Sequence, residues 1–143
     1  MNWLLDTCVL SELTKPQPNA NVVEWLDSAE ERTLFLSVLS VGEILKGITK
    51  LPDGERKSRL GKWVETELSE RFSGRLLDVT LEVAAEWGTL SGAAEQRGES
   101  LPAIDALLAA TARSGGLTVV TRNEVDLSRC GARVFNPWLE APK

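Results

Sequence analysis

Short runs of consecutive apolar residues alternate along the chain with longer stretches in which apolar positions recur every three or four residues. The first pattern suits strands buried on both faces, the second amphipathic helices. Trp3-Leu4-Leu5 predicts a strand, followed at once by a helix with Val9, Leu10 and Leu13 on one side. Lys15-Pro-Gln-Pro-Asn19 breaks that helix. A second helix carries Val22, Val23 and Leu26, and Thr33-Leu-Phe-Leu36 predicts the second strand. Val41, Ile44, Leu45 and Ile48 follow at i, i+3, i+4 and i+7, a third helix. After the turn Pro52-Asp53-Gly54, Leu60, Trp63, Val64 and Leu68 mark a fourth. Arg75-Leu-Leu-Asp78 predicts the third strand, and the helix holding Val83, Trp87, Leu90 and Ala94 ends near Gly98. Pro102 suits the first position of a helix whose buried stripe is Ile104, Leu107, Leu108 and Thr111, and Gly115-Gly116 ends it. Thr118-Val-Val-Thr121 and Ala132-Arg-Val-Phe135 are the last two strands.

Apolar strands alternating with helices predict an α/β fold: a three-layer α/β/α sandwich around a central five-stranded parallel sheet, as one domain over residues 1–143. In such folds ligands bind beyond the carboxyl ends of the strands.

Composition changes the picture mainly by what is missing. The chain has no histidine and no tyrosine. That removes Ser-His-Asp and Cys-His centres, histidine zinc ligation and histidine proton transfer. Any polar chemistry near neutral pH falls to carboxylates, Lys, Arg, hydroxyls or a bound metal. Two cysteines, Cys8 and Cys130, are too few for a disulfide framework and fit a reducing cytosol. No apolar run approaches the ~20 residues of a membrane span, and the N-terminus has no basic stretch before its apolar residues, so neither a signal peptide nor a membrane partner is expected. A cytoplasmic location is expected. The net charge of −5 repels polyanions overall, so a nucleic-acid contact requires a local basic patch.

The candidate chemistry lies at the strand ends. Asp6 comes directly after the first strand, and Glu43 is read in the first turn of the helix after the second. Asp105 is read in the first turn of the helix before the fourth strand, and Arg122, Asn123 and Asp126 follow that strand. Each acid has a plain structural alternative. Asp6 would cap a helix. Ser40-Val-Gly-Glu43 matches a capping box, with Leu39 and Ile44 as its hydrophobic staple. Asp105 would complement a helix dipole. Gathered in one crevice, however, ionised carboxylates repel one another unless a counter-charge is present. Oxygen donors without His or Cys favour Mg²⁺ or Mn²⁺ over zinc. A metal of that kind polarises a phosphodiester and lowers the pKa of a bound water, so the pattern points to metal-dependent phosphodiester hydrolysis.

Leu4-Leu-Asp-Thr-Cys-Val-Leu-Ser-Glu-Leu13 resembles the opening motif of PIN-domain ribonucleases. Ser37-Val-Leu-Ser-Val-Gly-Glu-Ile-Leu-Lys-Gly47 and Ile104-Asp-Ala-Leu-Leu-Ala-Ala-Thr-Ala112 resemble their second and third acidic motifs. Val120-Thr-Arg-Asn-Glu-Val-Asp-Leu127 and Val134-Phe-Asn-Pro-Trp138 are similar to the last motif and terminal strand of VapC and FitB-type toxins, so the likeness spans residues 3–138. The resemblance implies that Asp6, Glu43 and Asp105 bind Mg²⁺ or Mn²⁺, with Thr7 as a nearby hydroxyl. It implies that Thr121 orients a carboxylate or a water at the metal. Many relatives carry Asp where this chain has Asn123, leaving Asn123 and Asp126 as alternative fourth ligands and one metal or two open. It further implies a toxin that cuts RNA, commonly tRNA or rRNA, a homodimer, and a cognate antitoxin whose C-terminal segment fills the active-site groove. The alternatives are a PIN-like scaffold weakened by Asn123 that acts through partner binding, and a receiver-type signalling domain, for which no phosphoacceptor and no Lys are clearly placed.

Further residues invite two readings each. Lys46, Lys50, Arg56, Lys57, Arg59 and Lys62 form either an RNA-contacting rim or a solvated helix surface, and Lys46 is spaced for an ion pair with Glu43. Arg122 is the better candidate for a phosphate contact. Five tryptophans suit core or dimer packing more than base stacking, Cys8 lacks a basic partner, and Glu12, one to two turns past Asp6, reads as a surface residue rather than as support behind Asp6.

Overall fold

The computed structural model describes residues 1–139. Strand β1 (Trp3–Leu5) leads into α1 (Thr7–Leu13), then α2 (Ala20–Ser28), a 3₁₀ turn (Glu31–Thr33), β2 (Leu34–Ser37) and α3 (Val38–Thr49). Helix α4 (Glu55–Trp63) runs on through a π turn (Val64–Leu68) into the short α5 (Ser69–Arg71). The remaining elements are β3 (Leu76–Leu77), α6 (Leu81–Gln96), α7 (Ala103–Gly115), β4 (Thr118–Val120), α8 (Glu124–Arg129) and β5 (Val134–Phe135).

The five strands form one parallel sheet in the order β3-β2-β1-β4-β5. Chain order runs outward from β1 toward β3 on one side and, after a long crossover, from β4 to β5 on the other. The direction of winding therefore reverses between β1 and β4, and a crevice opens there at the carboxyl ends. Trp3 sits opposite both Leu34 and Thr118, and Leu5 opposite Val120.

Because successive strand side chains point to opposite faces, neighbours in sequence feed different cores. Leu5, Leu34, Leu36 and Val120 pack with Val9, Leu10, Val22, Leu26 and Ile44 from α1, α2 and α3. Leu4 and Val119 pack with Ala106, Leu108, Ala109 and Ala112 of α7 and Leu127 of α8. This is the sandwich that the apolar strands imply. Its small α7 residues let that helix lie close to the sheet.

Several local readings change. Ser37, not Ser40, caps α3, accepting from the Leu39 N–H at 3.0 Å. Strand β2 runs to Ser37 and α3 begins directly at Val38, with no loop between them, so the helix starts three residues ahead of the Ser40 cap. Ser40 is then buried inside it without a hydrogen-bond partner among the described residues, and Glu43 falls in the second turn. Pro102 is the capping residue of α7 rather than its first helical position. Helix α8, short and with only Leu127 buried, carries too little periodicity to be read from sequence. Ile104 and Trp87 are exposed rather than in the expected stripes, while Trp3, Trp25 and Phe135 form an aromatic cluster with ring centroids 5.1–5.6 Å apart. Gly116 ends α7 at φ +65°, a left-handed conformation natural to glycine, and the Leu117 N–H closes back on Ala112 O at 2.8 Å. No helix among the described residues is long and apolar enough to cross a membrane.

Candidate active site

The β1–β4 crevice brings the strand-end acids together. Asp6 follows β1, its N–H bonded to Val120 O of β4 at 3.0 Å. Its Oδ1 caps α1 by accepting the Thr7 N–H at 2.8 Å, and its Oδ2 accepts the Thr121 hydroxyl at 2.8 Å. The structural alternative for Asp6 is thus correct as far as it goes, since the residue does cap a helix. One oxygen does the capping while the other is held across the switch point by β4.

Glu43 reaches the same crevice from the second turn of α3, where its Oε1 accepts the Thr7 hydroxyl at 2.7 Å. Lys46 forms no ion pair with it among the described residues; Thr7 is its partner instead. Asp105 enters from the first turn of α7, half-buried and accepting no hydrogen bond among the described residues. Asp6, Thr7, Cys8, Ser11, Glu12, Lys15, Glu43, Asp105, Arg122 and Asn123 line one cleft of about 590 Å³.

Thr121 is fully buried and joins the two strands chemically. It donates to Asp6 and accepts the Asn123 N–H at 2.9 Å. Asn123 lines the cleft, whereas Asp126 sits in the first turn of α8, half-buried and outside that lining.

The electrostatics record the crowding. The Asp105 carboxyl is pushed above its ordinary value first by burial and then by the charges of Asp6, Asp126 and Glu43. The donors are hard oxygens with surplus negative charge, which suits a divalent cation in chemistry and in sign. In spacing the acids are spread around the cleft, for among the described residues no group of three or more Asp, Glu, Cys or His side chains already surrounds a single point. A cation would have to draw the carboxylates inward.

Because Asp105 is raised in the folded chain, it binds its proton longer there than when unfolded. Its contribution lowers stability as pH rises from about the ordinary value of 3.8 through the folded value, and stays as a constant penalty above. Asp105→Asn is therefore expected to melt higher than the native chain at pH 7 without metal, with the gap closing as pH falls toward 4. Calorimetric scans across pH 4–7 measure this. A variant that melts lower at every pH would show that repulsion on Asp105 is not what the cleft carries.

Glu12 corrects the surface reading. It is buried, accepting Lys15 Nζ at 3.0 Å and the Asn19 N–H at 2.9 Å. Its carboxyl lies below the ordinary range, chiefly through the Lys15 hydrogen bond, against the opposing effect of burial and with help from Asn19, the Lys15 charge and the Trp138 side chain. Cys8 and Glu12 share one face of α1, and Lys15 folds back on Glu12 from just beyond the helix end. Cys8 contacts Thr121 Oγ1 at 3.6 Å and takes the Arg122 N–H at 3.5 Å, and its thiol is raised mainly by burial, so it stays protonated.

The sequence pattern of the PIN domain matches residues 3–131. The chain is 38% identical over 135 residues to Toxin FitB of Neisseria gonorrhoeae, covering 94% of this chain and 97% of the relative. It is 33% identical to VapC ribonuclease Y4jK of Sinorhizobium fredii, covering 94% and 96%. The crystal structure of FitAcB from Neisseria gonorrhoeae superposes with a TM-score of 0.88 at 38% identity, over 95% of this chain and 98% of that one.

Proposed function

The chain belongs to the PIN-domain family, and from that premise we propose that it is a metal-dependent endoribonuclease, the toxin of a toxin–antitoxin pair. The names of its relatives support the class, one being called a toxin and another a VapC ribonuclease. The observation that carries the proposal is the convergence of Asp6, Glu43 and Asp105 on one cleft, where burial and then the charges of the other acids hold the Asp105 carboxyl up.

Asp6, Glu43 and Asp105 would hold Mg²⁺, or Mn²⁺ in its place, with Asn123 or Asp126 completing the set. When bound, such a cation offsets the phosphodiester charge and makes a water more acidic. The rest is done by the chain. Thr121 and the Thr7 N–H aim the Asp6 carboxylate, so its lone pairs are oriented before substrate arrives. The Thr7 hydroxyl does the same for Glu43. Asp105, without a donor of its own among the described residues, is the acid freest to accept a proton or a ligand. Hydrolysis adds the water oxygen to phosphorus and breaks the bond to the 3′ oxygen, which takes the proton. The products are a 5′-phosphate and a 3′-hydroxyl.

The RNA class is taken as tRNA or rRNA, as the resemblance implies. The domain is taken as residues 1–143, residues 140–143 lying outside the described ones, and the location as the cytoplasm. A cognate antitoxin would lay its C-terminal segment in the cleft, where a basic side chain meets the carboxylates in place of a metal. A homodimer would cover the exposed Leu76, Val79, Leu81 and Trp87 around the edge strand β3 and the start of α6, with Leu81 86% exposed.

Metal-stripped protein incubated with a total RNA pool is expected to produce discrete new 5′ ends only when Mg²⁺ is returned, and Mg²⁺ alone is expected to raise the melting temperature. A chain that neither cuts nor is stabilised would instead be the scaffold that Asn123 suggests.

A further inference from the structure

Arg122 stands at the mouth of the carboxylate cleft and lines it, yet it forms no ion pair among the described residues. A guanidinium beside several acids ordinarily collapses onto one of them as a bidentate pair. Here it lies over the Trp138 ring, 5.0 Å from the ring centroid. Its backbone is pinned as well, the N–H donating to Cys8 Sγ at 3.5 Å.

Trp138 is fixed from several sides. Its N–H donates to Asn136 Oδ1 at 2.9 Å, and its carbonyl accepts Asn21 Nδ2 at 3.1 Å. The ring packs against the core that includes Trp25 and Val22. Asn136, buried itself, donates through Nδ2 to Glu124 Oε2 at 3.1 Å, linking the chain after β5 to α8.

We propose that Arg122 binds a phosphate of the RNA strand beside the one being cut, and that Trp138 is the positioning residue that keeps its guanidinium away from the cleft carboxylates. The inference rests on the endoribonuclease reading and adds the group that receives the substrate. A stacked guanidinium leaves its in-plane N–H edge free, and that edge matches two phosphate oxygens. In a chain of net charge −5, a cation held clear of its acidic neighbours is a means of bringing a polyanion to them.

The test measures RNA binding separately from cutting. In EDTA, a fluorescently labelled single-stranded RNA oligonucleotide is titrated against the native chain, Arg122→Ala, Trp138→Ala, Trp138→Phe, the double alanine variant and Arg129→Ala, which removes an equal charge from α8. Arg122→Ala is expected to weaken binding about tenfold and to reduce the salt slope by about 0.7, one phosphate contact on a single strand. Trp138→Ala should reproduce that loss, Trp138→Phe should recover most of it, and the double variant should bind no worse than Arg122→Ala. In cleavage with Mg²⁺, the change should appear in KM with kcat within about threefold.

Arg122→Ala binding RNA as the native chain does, or no worse than Arg129→Ala, overturns the proposal. So do losses that add in the double variant. Should Trp138→Ala not fold, Arg122→Ala and Trp138→Phe decide between these outcomes. A native chain that binds RNA through Arg122 but never cuts it would sink the nuclease reading alone. Cutting that is independent of Arg122 would sink this inference alone.

Discussion

Asp6→Asn is expected to cut RNA at least ~10³-fold more slowly than the native chain while melting no earlier, a loss of about 4 kcal/mol of transition-state stabilisation. Asparagine keeps an oxygen to accept the Thr7 N–H, so the cap of α1 survives. It removes one negative charge from a cleft where Asp6 is the largest charge acting on Asp105. Stability should therefore hold or rise as activity disappears, the opposite of what a structural residue does. Asp6→Ala is the poorer probe, because it takes away the cap, at about 1 kcal/mol, and leaves the buried Thr121 hydroxyl with no partner at that position, whereas the asparagine Nδ2 can still donate to it. Single-turnover cleavage at saturating Mg²⁺ together with calorimetry measures both quantities. An Asp6→Asn chain that cuts within tenfold of native would remove Asp6 from the chemistry.

Phe72→Ala has the largest expected effect on the fold, about 3–5 kcal/mol, or a melting temperature on the order of 10 °C lower. Phe72 is only 1% exposed and packs with Leu36, Val64 and Leu68 where the π turn and α5 lead into β3. Removing the ring opens a cavity and also unloads two cations. The guanidinium carbons of Arg71 and Arg75 lie 5.4 and 5.1 Å from its centroid. Glu31 ties these arginines, taking Arg71 Nη2 at 3.0 Å and Arg75 Nη2 at 2.9 Å, and Arg75 also donates to Leu34 O at 2.6 Å. Its carboxyl is held below the ordinary range, mainly by the Arg71 hydrogen bond. These partly exposed charges add little by themselves, so most of the cost is the lost ring. Below the melting transition the variant should cut RNA at the native rate, because nothing at Phe72 touches the cleft. A melting temperature within a few degrees of native would mean that the site collapses to fill the space.

The two variants separate what is read at different distances along the chain. The strand and helix order was legible because both periodicities are strong, as in Leu4-Leu5 and in Val41, Ile44 and Ile48. Boundaries were not, and the helix cap shows why: Ser37 and Ser40 are both good caps, and only the length of β2 chooses between them. The three acids were legible as strand-end carboxylates, and the absence of histidine narrowed their use. The burial of Glu12 was not, because its partners Asn19 and Trp138 come from outside its own helix and no local pattern announces them.

Taken by itself, the amino-acid order determined that the strands lie in a covered parallel sheet and that a metal would find carboxylates but no histidine, since hydropathy period and residue chemistry are local properties. The tertiary structure decided which of those oxygens share a crevice and which neighbours hold them. Sheet order is set by how the crossovers wind, and the winding places β1 beside β4. Through that adjacency Thr121 reaches Asp6 across 115 positions of chain, and Trp138 comes to lie beneath Arg122.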